Sequence, residues 1–425
     1  MKIQDLHSAF LANPSISTDT RKIKTNDIFF ALKGENFNGN LYAQKALDSG
    51  ASLVIIDEEE YILNDRTILV KDVLTALQEL ANFHRKYCSA KIISLTGSNG
   101  KTTTKELINT VLSKTYKTVA TKGNLNNHIG VPLTLLTIQP DTEIAIVEMG
   151  ANHLKEIEFL CKIAEPDFGY ITNFGKAHLE GFGGIEGVKK GKSELYDYLI
   201  LNNKSIFLNA DDQIQLEKLG TYTKKYGFSS ENSKYYNIKL VEAQPFVTIK
   251  VEDTIIKSNL IGAYNFTNCC AAIIIAKYFN VDLSEVKNAI EKYTPNNNRS
   301  QILNTNGHYI ILDAYNANPS SMTVALENFY ALNKDRKFLI LGDMFELGST
   351  AKEEHQNIAD LTKKLNFEQV LLIGENFNHT KTTATKLKSF DNLKDYLKEN
   401  QIQENSTILI KGSRGMALER VLDLI

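Results

Sequence analysis

Short apolar runs alternate with stretches of helical spacing over most of this chain. Residues 1 to 88 mix brief strands expected over 27–32, 52–56 and 67–70 with helices over 42–49 and 73–88. From Ala90 the rhythm is cleaner. Apolar strands over 91–95, 143–148, 170–173 and 205–208 are separated by helix-compatible segments, as a parallel sheet covered on both faces requires. Residues 239–260 alternate in a hairpin-like way, and 265–279 and 283–293 read as helices. Pro295-Asn296-Asn297-Asn298-Arg299 is a polar break and the best candidate hinge. After it the strand–helix rhythm returns, with strands over 309–313, 337–341, 369–373 and 407–410. The expected fold is therefore α/β with three domains. These are a small α/β unit over 1–88, a central parallel-sheet ATPase-like unit over 89–298 and a Rossmann-like unit over 299–425.

Composition narrows the class. With 425 residues, 43% apolar, 23% charged and a formal net charge of −2, the chain reads as a globular protein of several domains. It has no polybasic surface for nucleic acid and no acidic disordered tail. Cysteines 88, 161, 269 and 270 lack metal-ligand spacing and read as reduced, buried thiols. The start, Met1-Lys2-Ile3-Gln4-Asp5, lacks a signal-peptide core, and no run approaches the ~20 apolar residues that span a bilayer. A monomeric cytoplasmic protein without membrane insertion is expected.

The strongest chemical signal is Thr96-Gly97-Ser98-Asn99-Gly100-Lys101-Thr102-Thr103, lying between a strand and a helix. Glycines there expose backbone N–H groups, the helix start adds partial positive charge, Lys101 can reach terminal phosphates, and the Thr102 hydroxyl suits Mg²⁺. The usual first glycine of such a turn is absent, because Leu95 stands in its place. Other candidates also fall at strand ends, where open α/β sheets collect ligands. Glu148 closes the strand over 143–148 and could hold Mg²⁺. His178 follows another strand in a Gly-flanked loop. Asp313 precedes Ala314-Tyr315-Asn316-Ala317-Asn318-Pro319, with Pro319 in a favoured first helical position. Lys411-Gly412-Ser413-Arg414 offers a cation, a hydroxyl and a forked guanidinium suited to a carboxylate. Lys192, inside Lys189-Lys190-Gly191-Lys192, reads by composition alone as part of a solvated basic run.

Together these segments resemble the Mur ligases, the ATP-dependent amide-forming enzymes of peptidoglycan precursor synthesis, and the resemblance covers essentially the whole chain. Ser17-Thr18-Asp19-Thr20-Arg21 and Asp27 to Gly34 resemble the family's UDP-sugar-binding domain. The short phosphate turn, Gly123 to Pro132, Glu148-Met149-Gly150 and Ala177-His178-Leu179-Glu180 follow in family order. Tyr315 to Pro319 and Leu341 to Gly348, with His355-Gln356 beyond, resemble the member that adds D-alanyl-D-alanine to UDP-MurNAc-tripeptide.

The resemblance implies ATP, two Mg²⁺ ions and both of those substrates. It implies nucleotide contacts from Gly97 to Thr103, and from Asn265, Asn268, Arg299 and Asp313. It puts Thr102, Glu148, His178 and Lys192 at the metals, with Lys192 carbamylated, and gives Lys101, Glu148, His178 and Lys192 the catalytic roles. Substrate contacts fall to Thr20, Arg21, Lys33, Asn126, Asn127, Asn316, Asn318, Lys411, Ser413 and Arg414. Tyr264 stands where the family usually has His, and Asn38-Gly39-Asn40 where Asp-Gly-His is common.

Overall fold

The computed structural model describes residues 2–425; Met1, the first residue of the expected N-terminal unit, lies outside them. The N-terminal unit holds β1 (Ile16–Ser17), β2 (Ile28–Phe30), a ribbon of β3 (Lys33–Gly34) and β4 (Phe37–Asn38), then β5 (Leu53–Ile56) and β6 (Thr67–Leu69). Four of these make a parallel sheet in the order β1-β2-β5-β6. The helix Val73–Cys88 starts at Asp72, whose carboxylate accepts from the Thr75 N–H, satisfying one otherwise orphaned donor. Its buried Val73, Leu77 and Leu80 share one core with Phe30 and Ile55 on one side and Val131 and Leu135 on the other. That helix fastens the N-terminal sheet to the central unit.

The central sheet contains β7 (Lys91–Thr96), β8 (Thr118–Ala120), β9 (Ile144–Glu148), β10 (Phe168–Ile171), β11 (Ser205–Asn209), β12 (Lys225–Ser229), β13 (Tyr236–Glu242), β14 (Thr248–Val251) and β15 (Thr254–Lys257). Their order is β15-β14-β13-β12-β11-β10-β7-β9-β8. All pairings from β8 to β13 are parallel, and the hairpin-like segment extends the same sheet with two antiparallel strands. After β9 the chain crosses to the other side of β7 to form β10. The carboxyl end of β7 therefore sits at a topological switch point, where such sheets open a crevice. Helices Lys101–Leu112 and Tyr264–Tyr278 cover one face, burying Leu107, Ile108, Cys269 and Cys270 against Ile93 and Leu95. All four cysteines are buried free thiols.

The C-terminal sheet contains β16 (Gln301–Thr305), β17 (His308–Asp313), β18 (Lys337–Gly342), β19 (Gln369–Ile373), β20 (Thr385–Leu387) and β21 (Thr407–Lys411), ordered β16-β17-β21-β18-β19-β20. Only β16 runs antiparallel. The polar break over 295–299 lies between the helix Leu283–Lys292 and β16, and Asn298 and Ser300 have φ of 57° and 50°. Two left-handed non-glycine residues mark a sharply turned crossing between the sheets.

Candidate active site

Thr96 ends β7, and the chain then turns through Gly97 to Gly100 into the helix Lys101–Leu112. A Cβ on Gly97, at φ +143°, would lie 2.0 Å from the Thr172 hydroxyl oxygen. One on Gly100, at φ +78°, would lie 2.6 Å from Asn268 Oδ1. Only glycine fits at either place. The loop after β10 clamps the turn from the side. Asn99 N–H donates to Asn173 Oδ1 at 3.1 Å, while the Asn99 carbonyl accepts from the Thr172 hydroxyl at 2.6 Å and the Asn173 amide at 3.0 Å. Ser98 adds a bond from its hydroxyl to the Gly175 carbonyl at 2.8 Å. Thr172 and Asn173 carry no motif a sequence reading would single out; their role comes from the β7–β10 pairing.

Lys101 folds back over this turn, donating to the carbonyls of Gly97 at 2.7 Å and Ser98 at 3.3 Å. Desolvation lowers its pKa to about 8; Glu148 opposes the shift and Arg299 adds to it. The Thr102 hydroxyl donates to Glu148 Oε2 and the Asn126 amide to Oε1, each at 2.9 Å. Glu148, 1% exposed at the end of β9, is thus a buried carboxylate held by neutral donors. Among the described residues no three His, Cys, Asp or Glu side chains converge as a metal cluster. One carboxylate beside a hydroxyl and a phosphate turn fits Mg²⁺, which takes few protein ligands and completes its shell with substrate oxygens and water.

Lys192 lies within the helix Ile185–Leu201 and is fully buried, which corrects the reading of a solvated basic run. Its amine donates to the Ala151 carbonyl at 2.9 Å and sits 4.9 Å from the centre of the Phe182 ring. Burial pushes its pKa well below the ordinary lysine value, and the charge on Lys101 adds to the shift. His178 opens on the cleft, with its Nδ1 against the Glu346 carboxylate from the C-terminal unit. The hydrogen bond from His178 holds Glu346 below the usual carboxylate range. His178 and the motif containing Glu346 are each visible in the sequence, but their pairing is not.

The opposite wall comes from the carboxyl ends of the C-terminal sheet. Asp313 and Lys411 are register partners on β17 and β21, and the lysine donates to the carboxylate and, at 3.2 Å, to the Asn316 carbonyl. Asp313 also accepts from Ser300 N–H at 3.1 Å. Asn318 caps the helix Pro319–Ala331 through a reciprocal pair with Ser321 and reaches across to Asn99 Oδ1 at 2.7 Å. The Arg299 guanidinium lies 3.9 Å over the Tyr315 ring, with its buried Nε lacking a partner among the described residues. Asn265 and Asn268 are buried and joined at 2.8 Å; Asn268 Oδ1 in turn accepts from Thr104 at 3.0 Å. Tyr264, in the place of the family's usual His, bonds to Ser300 at 2.6 Å.

These two walls enclose a cleft of about 940 Å³. Ser98 to Thr103, Asn126, Asn127, Glu148, His178, Asn265, Asn268, Arg299, Asp313, Asn316, Asn318 and Lys411 line it. Gly97, Lys192, Ser413, Arg414, Thr20, Arg21 and Lys33 lie outside that lining. Ser413 is buried, accepting from Phe345 N–H at 3.0 Å, and the exposed Arg414 pairs with Glu419 at 3.1 Å. In the N-terminal unit Thr20 and Arg21 share a 3-10 turn, in which Arg21 forms a two-bond pair with Asp19. Lys33 pairs with Asp57 at 3.0 Å. Asn40 ties Asn38 to Asp57, and a Cβ on Gly39 would lie 2.4 Å from the Leu32 carbonyl.

The fold and cleft define a class of multidomain α/β proteins in which a phosphate-binding turn at a central switch point faces a Rossmann-like sheet. The comparisons narrow it. Models of the Mur ligase family catalytic domain, the Mur ligase middle domain and the Mur ligase glutamate ligase domain match residues 14–85, 95–276 and 298–414. The UDP-N-acetylmuramoyl-tripeptide–D-alanyl-D-alanine ligase of Bacillus subtilis (strain 168) is 33% identical, covering 100% of this chain and 97% of its own. A crystal structure of MurF from Acinetobacter baumannii gives a TM-score of 0.84 at 29% identity, covering 96% of this chain and 93% of that one. MurF ligase from Thermotoga maritima, in complex with ADP, gives 0.84 at 26% identity with 96% of each chain covered. The chain belongs to the Mur ligase family.

Proposed function

We propose that this chain joins D-alanyl-D-alanine to UDP-MurNAc-tripeptide, cleaving ATP to ADP and phosphate, in the cytoplasm and as a monomer. The observation that carries the reading is that relatives named for this reaction align along the whole chain, N-terminal unit included. In the proposed division, residues 1–88 take the UDP-sugar, 89–298 the ATP, and 299–425 the dipeptide while closing on the nucleotide.

The residues fit a nucleoside triphosphate. Backbone N–H groups from Gly97 to Thr103 would surround the phosphates. Lys101 would exchange the Gly97 and Ser98 carbonyls for phosphate oxygens, and the unpartnered Arg299 Nε supports a further contact. Asn265 and Asn268 would meet the adenine and Asp313 the ribose. Thr102, Glu148, His178 and a carbamylated Lys192 would hold two Mg²⁺ ions, which neutralise phosphate charge when bound. The buried amine of Lys192 supports the carbamate, because a neutral amine attacks carbon dioxide and an ammonium does not.

In the reaction, a tripeptide carboxylate oxygen attacks the γ-phosphorus and the bond to ADP breaks, giving an acyl phosphate. The dipeptide amine then attacks the acyl carbon, loses a proton and expels phosphate. Lys101 acts by neutralising charge and the two walls by alignment. Thr20, Arg21, Lys33, Asn126 and Asn127 would bind the UDP-tripeptide. Asn316, Asn318, Lys411, Ser413 and Arg414 would serve the dipeptide side. The test is phosphate release with UDP-MurNAc-tripeptide, with and without D-alanyl-D-alanine. Release that needs both supports the proposal. Release with a free amino acid and no dipeptide would assign the chain to a neighbouring ligase type.

A further inference from the structure

His178 and Glu346 meet from opposite walls of the cleft, and both sit in a costly backbone conformation. Their φ angles are +53° and +60°, the left-handed region that non-glycine residues rarely occupy. His178 follows β10 of the central sheet, whereas Glu346 lies in the loop after β18 of the C-terminal sheet. The strained turns bring the Glu346 carboxylate to His178 Nδ1. Neighbouring contacts hold the same approach. Glu180 N–H donates to the Glu346 carbonyl at 3.3 Å, and Lys176 pairs with Glu354 at 2.7 Å. Lys176 N–H donates to the Ser320 hydroxyl at 2.8 Å. Glu346 accepts nothing else from a side chain among the described residues and is half exposed. A carboxylate left open to water gains little from a surface ion pair, so fold stability alone is a weak reason for two strained residues.

We propose that Glu346 is a positioning residue for His178. By accepting from Nδ1–H, it selects the tautomer whose Nε2 lone pair is free toward the cleft, and it fixes the plane of the ring. A histidine that holds a metal commonly donates its other nitrogen to a carboxylate in this way. Here the two partners belong to different sheets. His178 is correctly oriented only when the C-terminal unit is docked, so docking completes the site. This role rests on the ligase reading of the cleft, but the tautomer does not.

The test is long-range proton–nitrogen correlation spectroscopy on the ¹⁵N-histidine-labelled full chain, with His178→Gln assigning the resonance. Wild type should show one neutral tautomer, protonated at Nδ1. Glu346→Ala should give a mixture containing the Nε2–H form, and Glu346→Gln, whose amide oxygen still accepts, should retain much of the wild-type pattern. Turnover in Glu346→Ala should fall about 10- to 100-fold, chiefly in kcat, with partial recovery in Glu346→Gln. An unchanged tautomer in Glu346→Ala would overturn the proposal, as would a changed tautomer with unchanged kcat. Absence of ligation by wild type, with the tautomer as expected, would instead count against the proposed reaction.

Discussion

The two walls of the cleft are built in different ways. The phosphate-turn wall is local: Gly97 to Thr103 are consecutive, and glycine at two positions lets the chain pass where no side chain fits. The C-terminal wall is assembled from three strand ends; its Asp313 is matched by Lys411 within the wall, while Glu346 reaches across to His178 of the other wall. In the first wall the cation is held short of compensation. Among the described residues Lys101 donates only to the Gly97 and Ser98 carbonyls. A wall with spare positive charge suits a polyphosphate, and one with paired charges suits a peptide that brings a charge of each sign.

Substitutions sharpen this contrast. The largest effect is expected for Lys101→Ala, with kcat for ligation falling on the order of 10³-fold while the melting transition survives. Near-normal turnover in a steady-state phosphate-release assay would remove the distinction between the walls. Lys192→Ala should lower kcat about 10- to 100-fold, with partial recovery on adding short-chain carboxylic acids. Lys192→Met should instead hold or raise stability by about 1 kcal/mol in urea melts, since it replaces a buried amine by an apolar chain of similar length.

Calorimetric titration with ADP reads Lys101 through pH. In the free protein Lys101 is charged below about pH 8 and neutral above it. Bound phosphate favours the charged form and raises that pKa, so above pH 8, where the phosphates of ADP are already ionised, affinity should fall by up to about tenfold per unit. Affinity that rises with pH would contradict the role given to this lysine. Asn318→Ala, which removes a helix cap and the bond to Asn99, should cost about 1 kcal/mol of stability in a denaturant melt. Its effect on ADP affinity should be smaller than on the KM for D-alanyl-D-alanine.

The same contrast decided what could be read from the sequence. The phosphate turn, Glu148 at a strand end and the Pro319 helix start depend on neighbours in the chain, and period and motif revealed them. The helix over 73–88 was legible for the same reason. Strands β8 and β12 were not, because β8 is half-exposed throughout and β12 begins with a half-buried Lys225 and an exposed Tyr226. Composition misread Lys192, since the basic run leads into a stretch of its helix, Gly191 to Tyr196, in which every residue is buried by packing from elsewhere in the chain. The pairings of Asn99 with Asn173 and Asn318, and of His178 with Glu346, join residues far apart in the chain. Their spacing holds no trace of one another.

The most direct measurement follows the oxygen atoms. UDP-MurNAc-tripeptide labelled with ¹⁸O in its terminal carboxylate is turned over with ATP and D-alanyl-D-alanine, and the released phosphate is weighed by mass spectrometry. Attack of that carboxylate on the γ-phosphorus predicts one ¹⁸O in each phosphate and the other in the new amide. Phosphate free of ¹⁸O, with product still formed, would contradict activation through an acyl phosphate in this cleft.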